Sequence, residues 1–135
     1  MHAEETIRLA GLTARRRRET MGNPVVHFEI RSTDPDGARD FYGKLFGWTY
    51  PEGGIPGYTY VDPGIPDALP GGIGPTQGGD DLVTVFVGVQ DVEATLQEAE
   101  RLGGRILQPA THVPGVTFGL FADTQGHVLG VAAQE

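Results

Sequence analysis

The chain has 135 residues, with 10 Lys+Arg against 18 Asp+Glu for a formal net charge of -8, no cysteine, 21 glycines and 10 prolines. That length suits one globular domain burying roughly two-thirds of its unfolded surface, and a chain without cysteine has no disulfide, no thiolate metal site and no cysteine nucleophile. The acidic balance argues against nucleic acid or an anionic membrane as the main partner, because both call for a cationic footprint.

No stretch of about 18 apolar residues occurs, and Met1 is followed by charged residues rather than an apolar leader, so a cytoplasmic location is expected. Charge divides the chain. Residues 1–22 form an arm with five arginines (Arg8, Arg15, Arg16, Arg17, Arg18) and three glutamates, a local +2, which leaves -10 on the rest. Ile7, Leu9 and Leu12 allow a short helix there, but isolated helices of this length are marginal in water. The arginine run reads as a solvated tail. Translation starting at Met21 is a second account of it, and docking on an acidic surface a third.

Residues 23–135 read as a single domain made of two copies of one unit. Val25–Ile30 alternates as a strand. Asp34 then offers an N-cap and Pro35 a first helical position whose missing N–H costs nothing. Ala38, Phe41, Tyr42 and Leu45 recur at the spacing of one buried helix face, and Gly47 stops the helix. Short strands are expected at Trp48–Tyr50, Tyr58–Val61 and about Gly71–Gly74, between glycine- and proline-rich turns.

The same grammar returns in a second strand, Leu82–Val87, followed by Asp91 as cap and a helix face of Val92, Leu96, Ala99 and Leu102 ended by Gly103–Gly104. Strands are expected next at Arg105–Gln108, Val116–Phe121 and Val128–Val131. Ile30 and Val87, Asp34 and Asp91, Leu45 and Leu102, and Gly47 and Gly104 all stand 57 residues apart. One offset running through strand, cap, helix and stop marks an internal repeat. The fold class expected is α+β: two βαβββ modules, about 24–78 and 81–133, forming a curved mixed sheet around a cleft.

His27 stands fourteen residues before Phe41–Tyr42, which lead into Gly43–Lys44–Leu45–Phe46–Gly47–Trp48. This opening resembles that of the vicinal oxygen chelate superfamily, the glyoxalase, bleomycin-resistance and extradiol-dioxygenase group. The closing run Phe121–Ala122–Asp123–Thr124–Gln125–Gly126–His127–Val128–Leu129–Gly130–Val131 resembles that family's last hairpin, and the likeness covers roughly 24–133. It implies the fold. It leaves activity open, since the group holds isomerases, dioxygenases, thiol transferases and non-catalytic drug-binding proteins.

The resemblance also implies where a divalent metal would sit, on first- and last-strand positions of each module that carry histidine, glutamine or glutamate. Here those positions hold His27, then Thr84 at the 57-residue offset, Gly130, and Ile73 between Gly72 and Gly74. His27 is the only retained ligand position, too few for an ion that takes about three protein ligands. No metal and no other cofactor is therefore expected.

Alternation turns His27, Glu29 and Arg31 to one side of the first strand and Val26, Phe28 and Ile30 to the other. With the apolar set against the helix, the ionisable set meets the cleft. Thr84 and Phe86 follow the same rule in the second module, with Tyr58, Tyr60, Phe118 and Phe121 as aromatic lining and Gly130 as space for a ligand. If the cleft does chemistry, His27 is the candidate acid or base because it titrates near neutrality, with Glu29 as its orienting partner.

The expected function is binding of a small organic molecule in the cleft of a homodimer. Two alternatives stand beside it. One is a metal-dependent lyase, isomerase or dioxygenase drawing ligands from Glu29, Asp62 or His112, and the other is an interaction protein using the Arg15–Arg18 arm. His2, His112 and His127 read as surface residues.

Overall fold

A computed structural model of the chain describes residues 22–52, 55–76 and 78–134. The arm, with its helix and docking readings, lies outside the described residues. In chain order the elements are β1 (Val25–Ser32), α1 (Pro35–Phe46), β2 (Thr59–Val61), β3 (Gly71–Pro75), β4 (Leu82–Gly88), α2 (Val92–Arg101), β5 (Arg105–Val113), β6 (Val116–Ala122) and β7 (Val128–Gln134). The strands form one open mixed sheet in the order β2-β3-β1-β4-β7-β6-β5, which makes the fold α+β.

Each module wraps its last strand back beside its first: β3 runs parallel to β1 and β7 parallel to β4. The two modules join where β1 and β4 pair antiparallel at the centre of the sheet. Both helices start where the caps place them. Asp34 accepts a hydrogen bond from the Gly37 N–H and Asp91 from that of Ala94, both at 3.0 Å. Gly47 closes α1 in the left-handed conformation (φ 73°), its N–H donating to the Gly43 carbonyl.

Each helix covers its own half of one sheet face, and each half has its own small core. Under α1 these are Ile30, Val61 and Ile73, and under α2 they are Val92, Leu96 and Val131. Among the described residues no helix is long and apolar enough to cross a membrane.

Three expectations are corrected. Trp48–Tyr50 is not a strand: only Thr49 pairs, through a single antiparallel bridge to Asp62, so the sheet has seven strands rather than eight. Pro51 follows at once, with no N–H to extend the ladder. The apolar faces assigned to the helices are also only partly buried. Ala38 and Tyr42 meet the core, whereas Phe41 and Leu45 are 60% and 58% exposed, and Leu102 is 63% exposed. The sheet beneath α1 is narrow, with β2 only three residues long, and leaves nothing for the outer flank to cover.

Strict alternation in β1 fails at its start. Val25 pairs with Val87 and His27 with Phe86, so Val26 is the extra residue of a β-bulge. It turns toward the same side as His27 instead of toward α1.

Candidate functional site

The sheet face away from the helices holds a cleft of about 810 Å³. β1 supplies His27, Glu29 and Arg31, the segment entering β2 supplies Tyr58, β2 itself supplies Tyr60, and Phe86 and Phe118 close the far wall. The register explains the gathering. Glu29 lies opposite Gly72 on β3 and opposite Thr84 on β4, at the middle of the sheet, so its neighbours on both sides point into the same space.

The polar groups form one chain. Arg31 donates through Nε to Glu29 Oε2 at 2.6 Å, with the side chains 13% and 6% exposed. The Tyr58 hydroxyl donates to Glu29 Oε1 at 2.9 Å, and His27 Nε2 lies 2.7 Å from the same hydroxyl oxygen. Burial, then the adjacent Glu29 carboxylate, pushes the Tyr58 hydroxyl up, so it keeps its proton as a donor. Burial lowers the His27 pKa against the opposing pull of Glu29, which favours the neutral ring. Since Glu29 and Arg31 neutralise each other, the floor of the cleft carries no net charge when His27 is neutral.

Glycine makes this chain possible. Tyr58 lies flat on β3: a Cβ on Gly72 would run into its hydroxyl, and one on Gly74 would meet its ring at 2.8 Å. In the other module a Cβ on Gly130 would strike the Phe86 ring. These strand glycines are therefore close-approach positions, where the backbone meets an aromatic ring.

Not every expected lining residue is in the cleft. His27, Glu29, Tyr58, Tyr60 and Phe86 are there. Thr84 shares the face of Glu29, but it is buried and donates its hydroxyl to the Val128 carbonyl at 2.7 Å. The space expected over Gly130 is filled by Phe86. Phe121 points the other way and packs beneath α2 with Val92 and Leu96. Alternation could have caught this, because Phe118 and Phe121 are three residues apart on one strand and cannot share a face. Arg31 follows from the same alternation, whereas the bridging position of Tyr58 has no local signal.

The Glyoxalase/Bleomycin resistance protein/Dioxygenase superfamily model matches residues 25–131. The chain belongs to this superfamily. A curated relative, a putative glyoxylase from Mycobacterium tuberculosis, is 27% identical over 61% of this chain; the chain spans about a third (34%) of that relative's length. Solved structures share the fold. The Mn(II)-bound glyoxalase from Novosphingobium aromaticivorans aligns with TM-score 0.57 at 20% identity, covering 87% of this chain and 40% of that one. Methylmalonyl-CoA epimerase from M. tuberculosis aligns with TM-score 0.56 at 14% identity, covering 82% and 87%.

Membership sharpens the question of the metal that the resemblance implies, and the donors present do not fit it. The last-strand pairings set Gly72 against Glu29 and Gly130 against Phe86. The counterpart of Gly130 is thus Gly72, not Ile73, which is fully buried under α1. Both last-strand ligand positions are glycines roofed by aromatic rings. Glu29 has each oxygen engaged already, and the Thr84 hydroxyl is spent on a carbonyl. The alternative ligands do not converge either. Asp62 accepts from the Gly64 N–H at the outer bridge, and His112 is an exposed residue of β5 beside Thr117. Among the described residues no group of three or more His, Asp or Glu side chains is placed to hold an ion.

Proposed function

We propose that the cleft binds a small organic molecule between its aromatic walls and the β1 polar row, without the divalent metal of the family's metalloenzymes. One observation carries this reading: among the described residues that line the cleft Glu29 is the one acid, and each of its oxygens already accepts a hydrogen bond, from Tyr58 and from Arg31, so an incoming ion would compete with both. What remains for a ligand is apolar ring surface with a few oriented polar groups, the usual make-up of a small-molecule pocket.

Two measurements test it. Elemental analysis of purified protein, before and after dialysis against Zn, Ni, Fe and Mn, should find no near-stoichiometric metal; metal that is retained and then lost on His27→Ala overturns the reading. A library of aromatic fragments should contain members that raise the melting temperature, since a ligand at about a hundred times its Kd adds about 2.7 kcal/mol to stability. A library without a single stabilising member, retested by ligand-observed NMR, rejects the binding cup.

A further inference from the structure

The hydrogen-bond chain has a direction, and the direction fixes what the ligand must offer. Arg31 only donates. Glu29, ion-paired with it, only accepts. Tyr58 has one proton, and the geometry commits that proton to Glu29 Oε1. The 2.7 Å contact between the Tyr58 oxygen and His27 Nε2 is then a hydrogen bond only if Nε2 carries the proton and donates it. A neutral His27 in this tautomer has its lone pair on Nδ1. Nδ1 has no partner among the described residues, and no buried side-chain nitrogen or oxygen there lacks one, so Nδ1 is reachable from the cleft that His27 lines.

We infer that Tyr58 is a positioning residue that holds His27 with Nε2 protonated and Nδ1 open as an acceptor, and that the cleft takes neutral planar molecules donating an O–H, phenols and enols. This deepens the binding reading above and rests on it for its ligand. The walls support a planar partner: the His27 ring is followed by Tyr58 at 6.4 Å and Phe86 at 5.9 Å, centroid to centroid, with Phe118 beyond. Neutrality follows from the Arg31–Glu29 pair, which leaves no free cation among the described residues that line the cleft to select a carboxylate or phosphate. Among the described residues, the titratable and charged groups facing His27 are Glu29 and Arg31 from its own strand, Tyr58 just before β2 and Tyr60 within it; β4 and β6 present Phe86 and Phe118.

Long-range proton–nitrogen NMR of the histidine rings at pH 7.5 reads the tautomer without any ligand. His27 should show a protonated Nε2 and a bare Nδ1, and Tyr58→Phe should shift it to a mixture of tautomers. A protonated Nδ1 in the unmodified protein, or an unchanged tautomer in a folded Tyr58→Phe variant, overturns the inference. The ligand class is read with 2-naphthol and 2-methoxynaphthalene, in which an O–CH3 that only accepts replaces the O–H donor. The naphthol should bind about three- to tenfold more tightly, the worth of one hydrogen bond, and should move the His27 Nδ1 resonance. Equal affinities overturn the donor requirement while leaving the binding cup in place. If neither compound binds, the proposed ligand class is rejected, and a blank fragment library would then count separately against the cup itself.

Discussion

The two modules share a backbone plan and differ in what they put on it. At equivalent places on the cleft face, module one carries His27 and Glu29 where module two carries Thr84 and Phe86, and both set the second residue against a last-strand glycine. Over Gly72 lies Tyr58, a ring with a hydroxyl that reaches two polar neighbours; over Gly130 lies Phe86, a ring with none. A bare glycine strand thus serves as a bed for an aromatic side chain in each half. The buried polar side chains, Glu29 in one half and Thr84 in the other, each have a partner, as the cost of an unpartnered buried group demands.

The sharpest way to break this contrast is to remove the hub of module one. Glu29→Ala leaves the Arg31 charge and the Tyr58 hydroxyl without their acceptor, and chemical denaturation should show a loss of about 3–5 kcal/mol. Converting module one to the chemistry of module two, with Glu29→Leu and Arg31→Met together, should recover most of that loss, since a buried pair exchanged for apolar residues is often close to neutral. A double variant as unstable as the single one would mean that the chain contributes to the fold beyond its own satisfaction. A smaller effect is expected in module two. Gly130→Ala forces the Phe86 ring off its bed and should cost about 1–3 kcal/mol. Combining it with Phe86→Ala should cost less than the sum of the two changes, because the clash is then gone.

The repeat, the caps and the helix stops are legible in the sequence because each rests on local chemistry: an aspartate accepting from the third residue on, a proline at the first helical turn, a glycine at positive φ. The β1 polar row is legible too, as far as alternation carries. Its limits are tertiary. The bulge at Val26 depends on how β4 is spliced against β1, and the match of Gly130 with Gly72 depends on β3 and β7 pairing one residue out of step with the 57-residue repeat. Tyr58 stands 29 residues from the carboxylate and 31 from the imidazole that it joins, across a glycine- and proline-rich segment whose path no periodicity reveals.

Acid separates the two modules as well. Folding lowers the His27 pKa below its ordinary 6.5, chiefly by burial. Above that value the ring is neutral in both states. As pH falls through it, the unfolded chain takes up a proton that the folded chain resists, so the unfolded state binds more protons and stability declines until the lower folded pKa is passed. Urea midpoints should therefore drop as pH falls below 6.5, and His27→Gln should flatten that limb. Module two offers no equivalent, because Thr84 does not titrate. A limb that survives His27→Gln would mean that the protonation of His27 is not coupled to folding.

The smallest effect is expected on the outer flank of α1. Phe41, Leu45 and Phe46 are all more than half exposed, and among the described residues Phe41 meets the aromatic row through the Tyr42 ring alone, at 5.4 Å between centroids. In a monomer, Phe41→Ser removes little buried surface and should change stability by no more than about 0.5 kcal/mol. In the homodimer expected from the sequence, the result depends on where the copies meet. If they join along a sheet edge, the substitution stays silent, and sedimentation gives twice the single-chain 14.4 kDa with or without it. If they join through α1, the same substitution opens a buried contact and lowers both stability and mass, so the two measurements together assign the interface.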